Sequence, residues 1–152
     1  MDYNQEKTSS GFFSSEDSDK IVLAIRNAEG KTSAQIRLHI EDRCIGDPLE
    51  RAREVFHLLD MDTTTLRNGV LLYLSVLDRR IAVFGDKGID EKVPAGFWDN
   101  VVAVLAGEFR KQNFLHGILR SLGTIGDQLA LLYPLQGDAK NELADEISFG
   151  GN

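Results

Sequence analysis

The spacing of hydrophobic and polar positions changes several times along the chain, and each change marks an element. After Ser14, Ile21, Val22, Ile25 and Ala28 recur at helical spacing as far as Glu29-Gly30, and Asp17 three residues after Ser14 gives a capping-box-like start. From Gln35 the period falls to two. Ile36, Leu38 and Ile40 alternate with Arg37, His39 and Glu41, which predicts a half-exposed strand at or near a sheet edge, with His39 facing solvent. Asp47, Pro48 and Glu50 combine an N-cap acid, a first-turn proline and a capping-box glutamate. Leu49, Ala52, Val55, Phe56 and Leu59 form the buried stripe of that second helix. Asn68 to Val76 is apolar at nearly every position, as a strand covered on both faces requires, and Asp78-Arg79 separates it from Ile81 to Phe84 at hairpin spacing. Beyond Gly85 to Gly88, Val93-Pro94 opens a helix carrying Phe97, Trp98, Val101, Leu105 and Phe109. A last helix repeats Leu115, Ile118, Leu122, Ile125 and Leu129 before Tyr133-Pro134 stops it.

This order predicts one α/β domain, a three-layer α/β/α sandwich on a small mixed β-sheet covered by about four helices. The strand–helix–strand unit makes the first two strands parallel, and the hairpin makes the third antiparallel. Residues 1–13 read as a flexible arm, 14–136 as the domain, and 137–152 as an acidic tail that packs on the domain.

Composition narrows the ligands more than the fold. At 152 residues, a single core is the default. No apolar run approaches the roughly 20 residues that cross a bilayer. A net charge of −7, with no Lys/Arg cluster interleaved with aromatics, argues against nucleic acid and anionic membrane as partners and favours cations or basic partners. Met1 to Glu6 is polar and acidic, unlike a secretory leader, and the lone Cys44 fits a reducing compartment, so the expected location is cytoplasmic.

Five segments, in order, carry a resemblance. They are Thr32-Ser33-Ala34-Gln35-Ile36, Arg67 to Leu74, Asp78 to Val83, Gly85 to Ile89, and Phe109 to Gly117. Together they resemble the TPM domain family over roughly residues 14–133, in a short form without signal peptide or membrane helix. The resemblance implies a Rossmann-like sandwich with an acidic crevice, calcium or another divalent cation bound there in some members, and the acid phosphatase activity proposed for a thylakoid-lumen relative. Ser33 stands where glycine is common in the family. Asp86 replaces the aromatic of a Gly-Tyr-Gly loop and so adds an acid to it.

The topology collects three loops at one end of the sheet, residues 29–33, 60–68 and 85–91. Asp62, Asn68, Asp86, Asp90 and Glu91, with Asp60, are candidate ligands there, because calcium takes six to eight oxygens from carboxylates, amides and carbonyls. Glycines at 85 and 88 let backbone oxygens approach. The same acids read equally well as solvated loop and cap residues. The opposite end offers a second cluster, Glu41, Asp42 and Asp78, in which Asp78-Arg79 also fits ordinary turn chemistry. His39, His57 and His116 fall on separate elements, which argues against a zinc site. Asp60-Met61-Asp62-Thr63-Thr64 spells the nucleophile loop of haloacid-dehalogenase phosphatases, but that chemistry needs the first acid at the end of a central strand, and here it follows a capped helix.

Three functions compete on these grounds. The leading one is a domain that binds Ca2+ (or Mg2+) through the first cluster without strong catalysis. A metal-assisted acid phosphatase is the alternative. The third is a protein-interaction module using Leu143, Ile147 and Phe149 of the tail to meet a protein partner.

Overall fold

The computed structural model describes residues 8–135 and 147–150. Helix α1 (Ser15–Glu29) begins at Ser14, whose hydroxyl accepts the Asp17 N–H at 3.0 Å. Strand β1 (Gln35–Glu41) leads to α2 (Pro48–Leu58), capped by Asp47, and β2 (Gly69–Ser75) turns through Arg79, in the left-handed region at φ 55°, into β3 (Arg80–Gly85). A single helical turn, α3 (Lys87–Asp90), precedes α4 (Phe97–Arg110) and α5 (Phe114–Leu132), and β4 (Ile147–Gly150) comes last.

The strands lie in the order β3-β2-β1-β4, with β1 parallel to β2 and β4, and β3 antiparallel to β2. Alternation along each strand separates two cores. Ile36, Leu38, Ile40, Val70, Leu72, Leu74 and Val83 pack with residues of α1, α4 and α5 on one face. Leu71, Tyr73 and Ala82 pack with Ala52, Val55 and Phe56 of α2 on the other. The result is the three-layer sandwich, with β2 buried along its whole length.

Four expectations change. β4 is a strand with no counterpart in the sequence analysis. By flanking β1 it makes that strand an inner one, so His39 is buried, not solvent-facing, and Glu41 is fully enclosed. α4 starts at Phe97 instead of Val93-Pro94, because Gly96 takes a left-handed conformation at φ 79°. Leu49, placed on the buried stripe, is 49% exposed, because α2 covers the sheet with Ala52, Val55 and Phe56 instead. Leu143 and the rest of residues 136–146 lie outside the described residues. Among the described residues no helix is long and apolar enough to cross a membrane.

Candidate functional site

The first cluster is built around the start of β2 and the end of β3. Asn68 leads into β2; its backbone N–H donates to Thr64 Oγ1 at 3.2 Å and its carbonyl accepts the Gln35 N–H at 3.2 Å. Its side chain is buried, and neither Oδ1 nor Nδ2 has a hydrogen-bond partner among the described residues. Such a group is costly unless something satisfies it.

Asp86 follows β3 directly. Its backbone N–H donates to the Gly69 carbonyl at 2.9 Å, and its Oδ1 accepts the Lys87 N–H at 2.7 Å as the N-cap of α3. Arg67 grips the same carboxylate with a fork, Nε to Oδ2 at 2.8 Å and Nη2 to Oδ1 at 2.9 Å. Asp86 is 3% exposed, while the Arg67 side chain is 44% exposed, so the pair is buried from one side only. Gly88 sits hard against this loop. A Cβ there would come within 2.3 Å of the Leu66 carbonyl oxygen and 2.7 Å of that of Arg67.

Of the remaining candidates, Asp62 is drawn away. Its Oδ2 meets His57 Nδ1 at 2.8 Å, and that hydrogen bond holds its carboxyl below the usual aspartate range. Asp90 and Glu91 are exposed at the end of α3. Asp60, the first acid of the dehalogenase-like sequence, adopts φ 57° between α2 and a 3-10 turn, Met61–Thr63, and so follows a helix, not a strand. The structure thus joins Asp86 to the unforeseen Arg67, with Asp90 and Glu91 on the adjoining turn, while Asn68 comes near them through its backbone, between Arg67 and the Gly69 carbonyl that accepts the Asp86 N–H. No group of three or more His, Cys, Asp or Glu side chains converges as a metal cage among the described residues.

The second cluster does not converge. Glu41 takes Arg51 Nε at 2.8 Å and Nη2 at 2.9 Å, the Tyr73 hydroxyl, and His39 Nε2 at 3.4 Å. Asp42 instead accepts the Ser9 N–H at 2.7 Å, and Asp78 accepts the Cys44 N–H at 2.9 Å and the Ser75 hydroxyl. Burial works to raise the Glu41 pKa, but the hydrogen bonds from Arg51 and Tyr73 outweigh it and hold the carboxyl below its ordinary range. Burial lowers the His39 pKa. Because the Glu41 carboxylate can only accept, Nε2 carries the proton of the neutral ring, and Nδ1 accepts from the Ser148 hydroxyl of β4 at 2.8 Å.

A cleft of about 860 Å3 runs from the first cluster along β3, between α2 and α4. Arg67, Asp86, Asp90 and Glu91 line it beside Ile81, Val83 and Trp98. Arg51 and Arg67 had no signal of their own in the sequence, and Trp98 was read only as part of a helix's apolar face. Each arginine acts through a partner on another element, and spacing along one element does not reveal such pairings.

Comparison with known proteins agrees with this fold. The BA42 protein of the psychrophilic bacterium Bizionia argentinensis, solved by NMR, is 40% identical, with a TM-score of 0.85 over 91% of this chain and 96% of that one. The N-terminal domain of a protein from P. gingivalis is 14% identical with a TM-score of 0.63, covering 84% of each chain. The N-terminal domain of cg2496 from Corynebacterium glutamicum is 14% identical with a TM-score of 0.64, covering 93% of this chain and 94% of its own. Those two likenesses concern the fold alone. No curated protein matches the chain. The family profile of the TPM domain matches residues 7–128, and the chain belongs to the TPM domain family.

Proposed function

We propose that this protein is a binding domain that takes a divalent cation, calcium in preference to magnesium, at the loop junction of Asn68 and Asp86, without turnover. The observation that carries the reading is the buried Asn68 amide, which has no partner among the described residues and directly follows Arg67, the residue that grips Asp86. Calcium tolerates an irregular set of amide, carboxylate and carbonyl oxygens, whereas magnesium demands a near-ideal octahedron. As the side chains stand, Arg67 occupies both Asp86 oxygens, so the cage is not ready-made. Binding requires the guanidinium, which is open to solvent on one side, to give way to the cation. Asp90 and Glu91 supply further carboxylates on α3.

The reading makes an unusual prediction about Arg67. Removing an internal competitor strengthens binding, so Arg67→Gln tightens calcium affinity, while Asp86→Asn weakens it. Calorimetric and NMR titrations with calcium measure both. Amide shifts confined to residues 66–69 and 86–91 are expected; no perturbation at Asn68 or Asp86 at millimolar calcium, or an Arg67→Gln variant that binds no better, rejects the reading.

A further inference from the structure

β3 is an edge strand, and one hydrogen bond gives the orientation of its backbone. The Asp86 N–H donates to the Gly69 carbonyl, so Gly69 and Asp86 form a hydrogen-bonded pair, and pairing then alternates along the register Leu71↔Phe84 and Tyr73↔Ala82. The intervening residues, Ile81, Val83 and Gly85, therefore point their backbone N–H and C=O groups away from β2, toward the open side of the sheet. That side is the floor of the cleft between α2 and α4. An edge of this kind is a template for another strand unless it is blunted. Ile81 to Gly85 carries neither a proline nor a charge that would do so.

The walls select what can enter. α2 and α4 flank the edge on either side and leave a cleft of about 860 Å3 along it, room suited to a single extended segment. Trp98 lies against Gly85, where a Cβ would come within 2.5 Å of Cζ2. Its Nε1–H is buried there with no acceptor among the described residues. Asp90, Glu91 and Asp99 line the cleft near Trp98 and are exposed, while of the exposed cations in the lining, Lys87 and Arg67, the second is already paired with Asp86.

We propose that this cleft binds an extended polypeptide segment as an added strand on β3, with apolar side chains at alternate positions and a lysine or arginine reaching Asp90, Glu91 and Asp99. Main-chain hydrogen bonds from Ile81, Val83 and Gly85 hold the segment, and the acidic rim sets its direction.

A synthetic peptide of alternating valine and threonine with lysine at one end tests this against the whole protein by NMR. Chelator is kept in the solution, so that the result is independent of the cation reading. The expected result is saturable shifts at the Ile81, Val83 and Gly85 amides and at the Trp98 indole N–H. N-methylation of the peptide on its pairing edge should weaken binding by about tenfold or more, as loss of one or two backbone hydrogen bonds implies. Asp99→Asn should weaken the lysine peptide and leave a neutral one unaffected. Hydrogen exchange without peptide gives a second readout, with Ile81 and Val83 exchanging far faster than Ala82 and Phe84. The proposal is overturned by shifts located elsewhere, by equal binding of the N-methylated peptide, or by Ile81 and Val83 protected as strongly as their neighbours in dilute monomer. Protection that appears only as protein concentration rises would assign the edge to a second copy and would equally overturn it.

Discussion

Glu41 and Asp86 are both buried carboxylates gripped by an arginine fork at nearly the same distances, yet the two ends of the sheet they occupy have different surroundings. The other neighbours of Glu41 are the Tyr73 hydroxyl and the His39 ring, so every lone pair faces an interior donor and the end is closed by α2 and β4. Asp86 sits between a helix turn and a half-exposed arginine, and it opens on a cleft. The same ion pair is enclosed at one end of the sheet and half open to solvent at the other. Charge and distance alone do not distinguish the two cases.

Breaking the closed end should have the largest effect. Glu41→Ala leaves the Arg51 guanidinium and the Tyr73 hydroxyl without their acceptor, and urea unfolding should show a loss of about 3 kcal/mol. The corresponding Asp86→Ala change removes an N-cap and a half-exposed pair, so it should cost about 1 kcal/mol. Equal losses at the two positions would dissolve the comparison.

Acid should act on the closed end first. The folded-state pKa of His39 lies below the ordinary 6.5, so the unfolded chain takes up that proton more readily. Stability is therefore fully present above pH 6.5 and falls as pH drops toward the folded value. Glu41, also depressed, adds a second loss below its ordinary 4.5. The groups facing His39 are Glu41, Arg51 and Arg37, and none of them changes this sign. His39→Gln should flatten the upper part of the stability profile measured by thermal unfolding between pH 7 and pH 5, within the range where histidine titrates. A profile identical to that of the native chain would exclude His39 as the source.

The smallest expected effect concerns the attachment of β4. Ser148→Ala removes the hydroxyl that donates to His39 Nδ1, and a stability loss of about 0.5–1 kcal/mol is expected. Proteolysis near the C-terminus should rise in the same variant, because β4 is a four-residue strand at an edge.

Much of the fold was legible because short-range rules dominate it. Ser14 and Asp47 cap the helices they were expected to cap, the apolar run became the inner strand β2, and the Asp78-Arg79 turn made β2 and β3 antiparallel. Asn68 and Asp86 were read as neighbours from loop grouping, and the structure brings their loops together through the Asp86–Gly69 hydrogen bond. The partners were not legible. Arg67 meets Asp86 across 19 positions and Tyr73 meets Glu41 across 32, and nothing in the local pattern distinguishes these residues from other arginines or tyrosines.

The alternation in β1 shows where the division falls. Period two assigned Ile36, Leu38 and Ile40 to one face and Arg37, His39 and Glu41 to the other, because side-chain direction is a property of the strand itself. Whether that polar face met water or an interior network was decided by α2 presenting Arg51, β2 presenting Tyr73, and β4 arriving on the flank with Ser148. Sequence by itself determined the main helices and the first three strands, most of their faces and the net acidity, but not β4. Tertiary structure alone decided which acids are satisfied and which remain open, because desolvation and pairing depend on residues that only folding brings together.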